Sequence, residues 1–159
     1  MEKLLNEEVS LQLKEVFEGM TSDITMVLFT SSDACESCEP TQQLLSEVSD
    51  LTTRINLVVK DIKDADAQKY AIERVPSFVV LDQNGDYKGV KFNGIPAGHE
   101  INSFVSAIME MGGVESEVPS DIAQRIAKID KPVNIKVFVT LSCPHCPGAV
   151  QKAHKIAML

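Results

Sequence analysis

Two Cys-x-x-Cys motifs set in matching frames constrain this chain more than any other feature. The apolar run "ITMVLFT" (Ile24–Thr30) leads through a polar loop into "CESC" (Cys35–Cys38). The run "VNIKVFVTL" (Val133–Leu141) leads in the same way into "SCPHCPG" and a helix-like stretch carrying Val150, Ala153, Ile156 and Ala157. Cys35 and Cys143 are 108 residues apart, and so are Cys38 and Cys146. Similarity at one domain-length period marks an internal repeat. Near-continuous apolar runs with β-branched residues suit strands buried on both faces of a sheet. The expectation is therefore a pair of strand–loop–dithiol–helix units.

That frame suits redox chemistry. A thiolate, not a thiol, attacks a disulfide, and a cysteine at a helix N-terminus is stabilised as thiolate by unpaired backbone N–H groups. A second cysteine three residues on can close an intramolecular disulfide and release the substrate. Pro40 and Pro147 fall where a helix's first turn tolerates proline. The competing chemistry is zinc, with the four cysteines as ligands or His145 or His154 substituting. However, 104 residues separate Cys38 from Cys143, far beyond knuckle spacing, so no metal site is expected.

The rest of the chain places these motifs. Leu5, Val9, Leu13, Val16 and Phe17 recur at helical spacing. Leu44, Leu45, Val48 and Leu51 mark a helix after the first cysteine pair, "RINLVV" (Arg54–Val59) a strand, and Asp64–Glu73 a short helix. A strand, an Asn84–Gly85 turn and an edge strand at Val90–Asn93 form a hairpin. Ile101, Phe104, Val105, Ile108 and Met109 line a closing helix that stops at Gly112–Gly113. The order is α-β-α-β-α-β-β-α, an α/β unit closed by an antiparallel hairpin. This predicts a first unit over 1–114, a linker over 115–119 and a partial second unit over 120–159, with Ser120 as N-cap of a helix bearing Ile122, Ile126 and Ile129. Only 27 residues run from Val133 to Leu159, enough for one strand and part of a helix. The chain is thus expected to be a C-terminally truncated part of a longer tandem protein. The alternative is that the partial unit packs on the first. A lone strand needs another sheet to accept it.

Composition narrows the function. The net charge is −8, with −13 over residues 1–121 and +5 over 122–159. An acidic chain with 5% aromatic residues and no Trp is not expected to bind nucleic acid, where affinity rests on Lys/Arg at phosphates. A basic tail behind an acidic body is read either as favouring docking of one on the other or as helix surfaces that merely differ in charge. The acidic N-terminus is not expected to be a signal peptide, and no apolar run reaches membrane-spanning length. A cytoplasmic protein is expected, where paired cysteines are redox-active or metal-binding rather than structural.

"CESC" followed by "RVPSF" resembles the thioredoxin fold, in which a cis-proline before the third strand faces the dithiol. The repeat, "GIPAGHE" (Gly94–Glu100) and "VFVTLSCPHCPGAVQKAHKIA" are similar to the glutaredoxin-like protein disulfide oxidoreductases of archaea and heat-loving bacteria, which carry two thioredoxin folds in one chain. The resemblance implies a central mixed sheet flanked by helices and thiol–disulfide oxidoreductase activity on protein disulfides. It also implies Cys35 and Cys143 as nucleophiles, Cys38 and Cys146 as resolving thiols, and Val75 and Pro76 as a substrate platform at the first site. No cofactor beyond the redox-active disulfides is implied, and the electron donor would be a thioredoxin-reductase-like flavoprotein. Where thioredoxins bury a proton-accepting aspartate this chain has Phe29 and Val137, which leaves that role unassigned.

The two sites are expected to differ. Asp33, Glu36 and Glu39 crowd Cys35 and disfavour its thiolate, unless they point to solvent and are screened. No acid lies near Cys143 in sequence, and His145 can stabilise its thiolate, so Cys143–Cys146 is expected to be the more oxidising pair. His99 and His154 read as solvated residues, Met109, Met111 and Met158 as core filler. Lys60 and Asp61 end the second strand near the first cysteine loop, where either could assist proton transfer. The expected function is an enzyme that reduces, forms or isomerises protein disulfides. The alternatives are a redox relay serving a peroxidase or flavoprotein reductase, and a non-catalytic zinc- or partner-binding module.

Overall fold

The computed structural model describes residues 3–159. Helix α1 (Glu7–Phe17) is capped by Asn6, whose side chain accepts from the Val9 N–H. It turns its Leu13 and Phe17 side into the core and leaves Val16, expected inside, exposed. Strand β1 (Ile24–Thr30) follows, then α2 (Cys38–Ser49), β2 (Ile55–Asp61), α3 (Ala65–Lys69), β3 (Ser77–Leu81) and β4 (Tyr87–Asn93). A 3-10 turn at Gly98–Glu100 runs into α4 (Ile101–Met111), and α5 (Ser120–Ile126) and α6 (Cys146–Met158) complete the order.

The four strands form one sheet in the order β2-β1-β3-β4. β1 pairs in parallel with β2 and antiparallel with β3, and β3 and β4 form the hairpin. The side-chain period of two then sorts the sheet into two faces. Met26 and Leu28 of β1, opposite Val80 and Phe78, join Leu13 and Phe17 of α1, Leu45 and Val48 of α2, and Phe104 and Ile108 of α4 in the larger core. Val27 and Phe29, with Val79 and Leu81, meet Ala67 and Tyr70 on the other face. The mixed α/β sheet with flanking helices is the thioredoxin-like architecture expected from the sequence.

Turn chemistry fixes the connections. Asp82 accepts from the Asn84 and Asp86 N–H groups and so shapes the β3–β4 turn around Gly85. The helix at Asp64 is shorter than expected: Asp64 caps it, but it ends at Lys69 and the chain leaves through Ala71 at φ 50°. Gly112 and Gly113 end α4, and the Gly112 carbonyl accepts from the Thr21 and Ser22 N–H groups, tying that end to the start of β1. Gly113 lies at φ 90°, and a β-carbon there would overlap Thr21 Oγ1.

Two expectations about the last forty residues change. Val133–Leu141 does not form a buried strand; it pairs with no strand among the described residues and is exposed throughout, Val133 at 63% and Phe138 at 88%. An apolar sequence makes a strand only where it pairs with a neighbouring edge, and this run pairs with neither β2 nor β4, the outer strands of the sheet. α5 begins at Ser120 after Pro119, so Ser120 is inside the helix rather than its cap.

α6, in contrast, docks on α4 and β4. Lys155 pairs with Glu110 at 2.8 Å, Met158 packs against the main core, and the Gln151 amide donates to the Asn102 carbonyl. His154, read from sequence as solvated, instead lies edge-on to the Phe92 ring with centroids 4.9 Å apart. Its helical face is the one turned inward, a fact that α6's own periodicity does not reveal without its neighbour.

His154 Nδ1 is buried with no hydrogen-bond partner among the described residues, and burial pushes its pKa down to about 4. As pH falls below the ordinary value of about 6.5, the unfolded chain takes up a proton that the folded chain refuses until about pH 4. Stability is therefore complete above 6.5 and falls by up to ~3 kcal/mol across that window. Denaturant titrations at pH 7 and 4.5 should show a smaller pH-dependent loss for His154→Phe than for the unchanged chain.

Candidate functional site

Strand β1 ends at Thr30, and the polar loop after it delivers the first cysteine pair to the N-terminus of α2. Cys35 and Cys38 form a disulfide, with their α-carbons 5.4 Å apart. Cys38 is 7% exposed, while Cys35 is the more accessible sulfur. An attacking thiolate from outside therefore meets Cys35 first, and Cys38 can act only from within. Thr41, fully buried one turn into the helix, donates to the Ser37 carbonyl at 2.6 Å and tightens this end.

The Val75–Pro76 peptide bond is cis. Phe29 opposes Ser77 in the β1–β3 ladder, so Pro76, one residue before, lies at the end of the sheet where β1 gives way to the cysteine loop. The Pro76 carbonyl accepts from Gly94, and the Ser77 hydroxyl donates to the Arg74 carbonyl and the Asn93 side-chain oxygen. These bonds hold the segment beside the loop.

Asp33, Glu36 and Glu39 are all exposed, and Asp33 faces Lys63 at 3.7 Å. Their charges act on Cys35 through solvent, where screening weakens them. Lys60, at the end of β2, is held by Asp66 at 2.6 Å and by Asp64 at 3.5 Å. Asp61 accepts from the Lys63 N–H. Neither is placed by any contact at the cysteines.

The second pair lies at the N-terminus of α6, with Pro147 in its first turn. Cys143 and Cys146 are free thiols, both half-buried. They are inequivalent. Cys143 is lowered, chiefly by the hydrogen bond from Cys146 and next by the His145 backbone N–H. Cys146 is raised, chiefly because it gives that bond to Cys143. His145 thus contributes through its main chain, and its exposed side chain makes no contact that would add to this. Among the described residues, no group of three or more His, Cys, Asp or Glu could hold a metal ion.

Sequence reasoning missed one residue here. Glu100 ends the 3-10 turn before α4, in the stretch "GIPAGHE", and is 3% exposed. Its Oε2 accepts from the Ser103 hydroxyl at 2.5 Å, and its Oε1 is buried with no partner among the described residues. Its negative charge raises both Cys143 and Cys146. A carboxylate supplied by the first unit therefore acts on the second dithiol through its charge, an effect smaller than the hydrogen bond between the two thiols, whereas Phe29 and Val137 offer neither cysteine pair an acid. The missed signal was an acidic residue starting an otherwise apolar helix face. In the reduced chain, Cys143 should alkylate with iodoacetamide faster than Cys146 at neutral pH, and peptide-resolved mass spectrometry should show the difference disappear in strong base.

No family model matches the chain. It is 32% identical over 156 residues to the F subunit of the alkyl hydroperoxide reductase of Staphylococcus aureus (strain Mu50), a match covering 98% of this chain. It spans 28% of the length of that curated relative. Among solved structures, the protein disulfide oxidoreductase of Aeropyrum pernix K1 superposes with a TM-score of 0.85 at 28% identity, covering 97% of this chain and 68% of that one. The NTD_N/C domain of the alkylhydroperoxide reductase AhpF of Enterococcus faecalis (V583) superposes with a TM-score of 0.84 at 32% identity, covering 97% of this chain and 74% of that one. With a thioredoxin-like sheet, a dithiol at the head of each of two helices and that extent of likeness, the chain belongs to the family of the NTD_N/C domain of the alkylhydroperoxide reductase AhpF.

Proposed function

We propose that this chain is a redox relay that passes two electrons by dithiol–disulfide exchange, from a flavoprotein reductase of the thioredoxin-reductase type to a protein disulfide such as that of a peroxidase. The observation that carries the reading is the second dithiol: one thiol lowered, its neighbour raised, and a buried carboxylate acting on both. The relatives belong to an alkyl hydroperoxide reductase, which favours the relay over a general protein disulfide reductase.

In this mechanism the Cys143 thiolate attacks one sulfur of the substrate disulfide. A mixed disulfide forms, and the other substrate sulfur leaves as a thiolate that takes a proton from water. Glu100 then accepts the Cys146 proton, and the Cys146 thiolate attacks Cys143 Sγ. The Cys143–Cys146 disulfide closes, and the second substrate sulfur leaves as a thiolate. Two electrons have moved from the dithiol to the substrate, and the flavoprotein returns them. Cys35 and Cys38 perform the same exchange at the first site, where Val75 and Pro76 present backbone to the substrate. Lacking an acid of its own, that pair is the slower. The chemistry requires no dissociable cofactor in this chain. Residues 1–114 and 120–159 act as the two halves of the relay, joined by 115–119. The relay works in the cytoplasm, where its thiols are kept reduced between cycles. No helix among the described residues is long and apolar enough to cross a membrane.

Insulin disulfide reduction, driven by a pyridine nucleotide and a thioredoxin-reductase-type flavoprotein, tests this directly. Cys143→Ser should lower the rate by about tenfold or more, Cys35→Ser by less, and the double variant should be inactive. Undiminished turnover in the double variant would overturn the relay.

A further inference from the structure

We propose that Gly98 is a positioning residue for the second dithiol: its bare α-carbon lets the 3-10 turn close on the Leu141 carbonyl, and this contact holds the Glu100 carboxylate in register with Cys143 and Cys146. The inference rests on the relay reading only for its consequence in turnover; the contact itself is geometric.

Leu141 stands two residues before Cys143, at the root of the cysteine loop. Its carbonyl accepts from the His99 N–H at 2.9 Å. Among the described residues this is the one backbone hydrogen bond that joins the stretch from 130 to 145 to the first unit. The preceding extended run has no ladder to locate it, so the loop takes its position from this bond and from α6 behind it. The Cys143 N–H then donates to the Thr140 carbonyl at 3.0 Å, which carries the same fixed point forward to the nucleophile.

Gly98 makes the approach possible. A β-carbon there would stand 2.5 Å from the Leu141 oxygen, 3.2 Å from its carbonyl carbon and 3.1 Å from its β-carbon. The first distance is impossible for a side chain, and the obstacle is backbone rather than a movable side-chain tip. The residue also lies at φ 58°, the left-handed region that glycine enters freely. Two residues on, Glu100 is held by the Ser103 hydroxyl, and the Asn102 side chain donates to the His99 carbonyl, so the turn is braced as a unit. Moving Leu141 away from Gly98 therefore moves the thiols relative to a carboxylate that stays where it is.

The turn presents Glu100 and His99, the loop His145 and the two thiols, α4 Glu110, and α6 Lys152, His154 and Lys155. Of these, only Glu100 and the thiols themselves act on the thiols through their side chains. The coupling between Glu100 and Cys143 can thus be read on its own. A loop pushed back by an added β-carbon should feel Glu100 less.

A double-mutant cycle on the reduced full chain tests this. Peptide-resolved alkylation of Cys143 with iodoacetamide, from about pH 5 to 10, gives its pKa in the unchanged chain, Glu100→Gln, Gly98→Ala and the combined variant. Glu100→Gln should lower the Cys143 pKa by about half a unit, roughly a threefold gain in thiolate below the pKa, and by less than half of that in the Gly98→Ala background. Equal shifts in both backgrounds, or no shift in either, would overturn the proposal. Should Gly98→Ala fail to fold by far-ultraviolet circular dichroism, His99→Pro removes the N–H donor in the first turn, where proline is tolerated, and the same cycle applies. Loss of fold in both variants would also overturn it, because the contact would then be a folding requirement and not a setting of the thiols. The relay reading fails separately, by undiminished insulin reduction in the double cysteine-to-serine variant, which leaves this titration unaffected.

Discussion

Everything in the first unit is arranged around a strand whose apolar residues are all buried. β1 is hydrogen-bonded along both edges, by β2 and β3, and apolar on both faces. Such a strand cannot slip by one residue without exchanging Met26 and Leu28 for Val27 and Phe29, which belong to different cores. Its end at Thr30 is therefore a fixed point. The cysteine loop leaves from that point, and the segment carrying Pro76 returns to it through the β1–β3 register. The dithiol and its neighbouring proline are placed by sheet geometry rather than by contacts between themselves.

Much of this could be read before the structure. The near-continuous apolar run of β1, the Asn84–Gly85 turn and the Gly112–Gly113 stop are local signals whose physics does not depend on distant partners. The cysteines were legible because their spacing and helix-start context carry chemistry directly. What could not be read were the facts made by tertiary neighbours. Val133–Leu141 has the composition of a buried strand but pairs with neither outer strand of the sheet, and β-propensity describes fit to a half-buried surface, not a backbone preference. His154 was assigned to solvent because a helical residue's environment is set by the surface that the helix meets. Glu100 carried no sign of its burial in the sequence, because that burial comes from the packing around the start of α4.

The two dithiols share a frame and differ in surroundings. The acids near Cys35 are its neighbours in sequence, yet they project into solvent, where a charge at a given distance counts for little. The acid that acts on Cys143 is 43 residues away in sequence and enclosed by protein, where the same charge counts for more. Sequence proximity showed the first set of acids and concealed the second. The basic balance of residues 122–159 has a similar resolution: Lys155 finds Glu110 of the acidic body, so the predicted complementarity is realised at the α4–α6 contact as a half-buried pair.

The exposed run from Val133 to Leu141 has a consequence for how the chain behaves in concentrated solution. Outside the Thr140 and Leu141 carbonyls, its N–H and C=O groups pair with no strand among the described residues; flanked by Val, Ile and Phe side chains, they are a template on which another extended segment can add, the first step of edge-to-edge aggregation. The sequence around it carries the features that blunt such templates. Lys131 and Pro132 stand at its entrance and Lys136 interrupts it, so that stacking copies would bring like charges together and meet a residue with no N–H to donate. The most strand-like sequence of the chain is thus flanked and interrupted by residues that oppose such stacking.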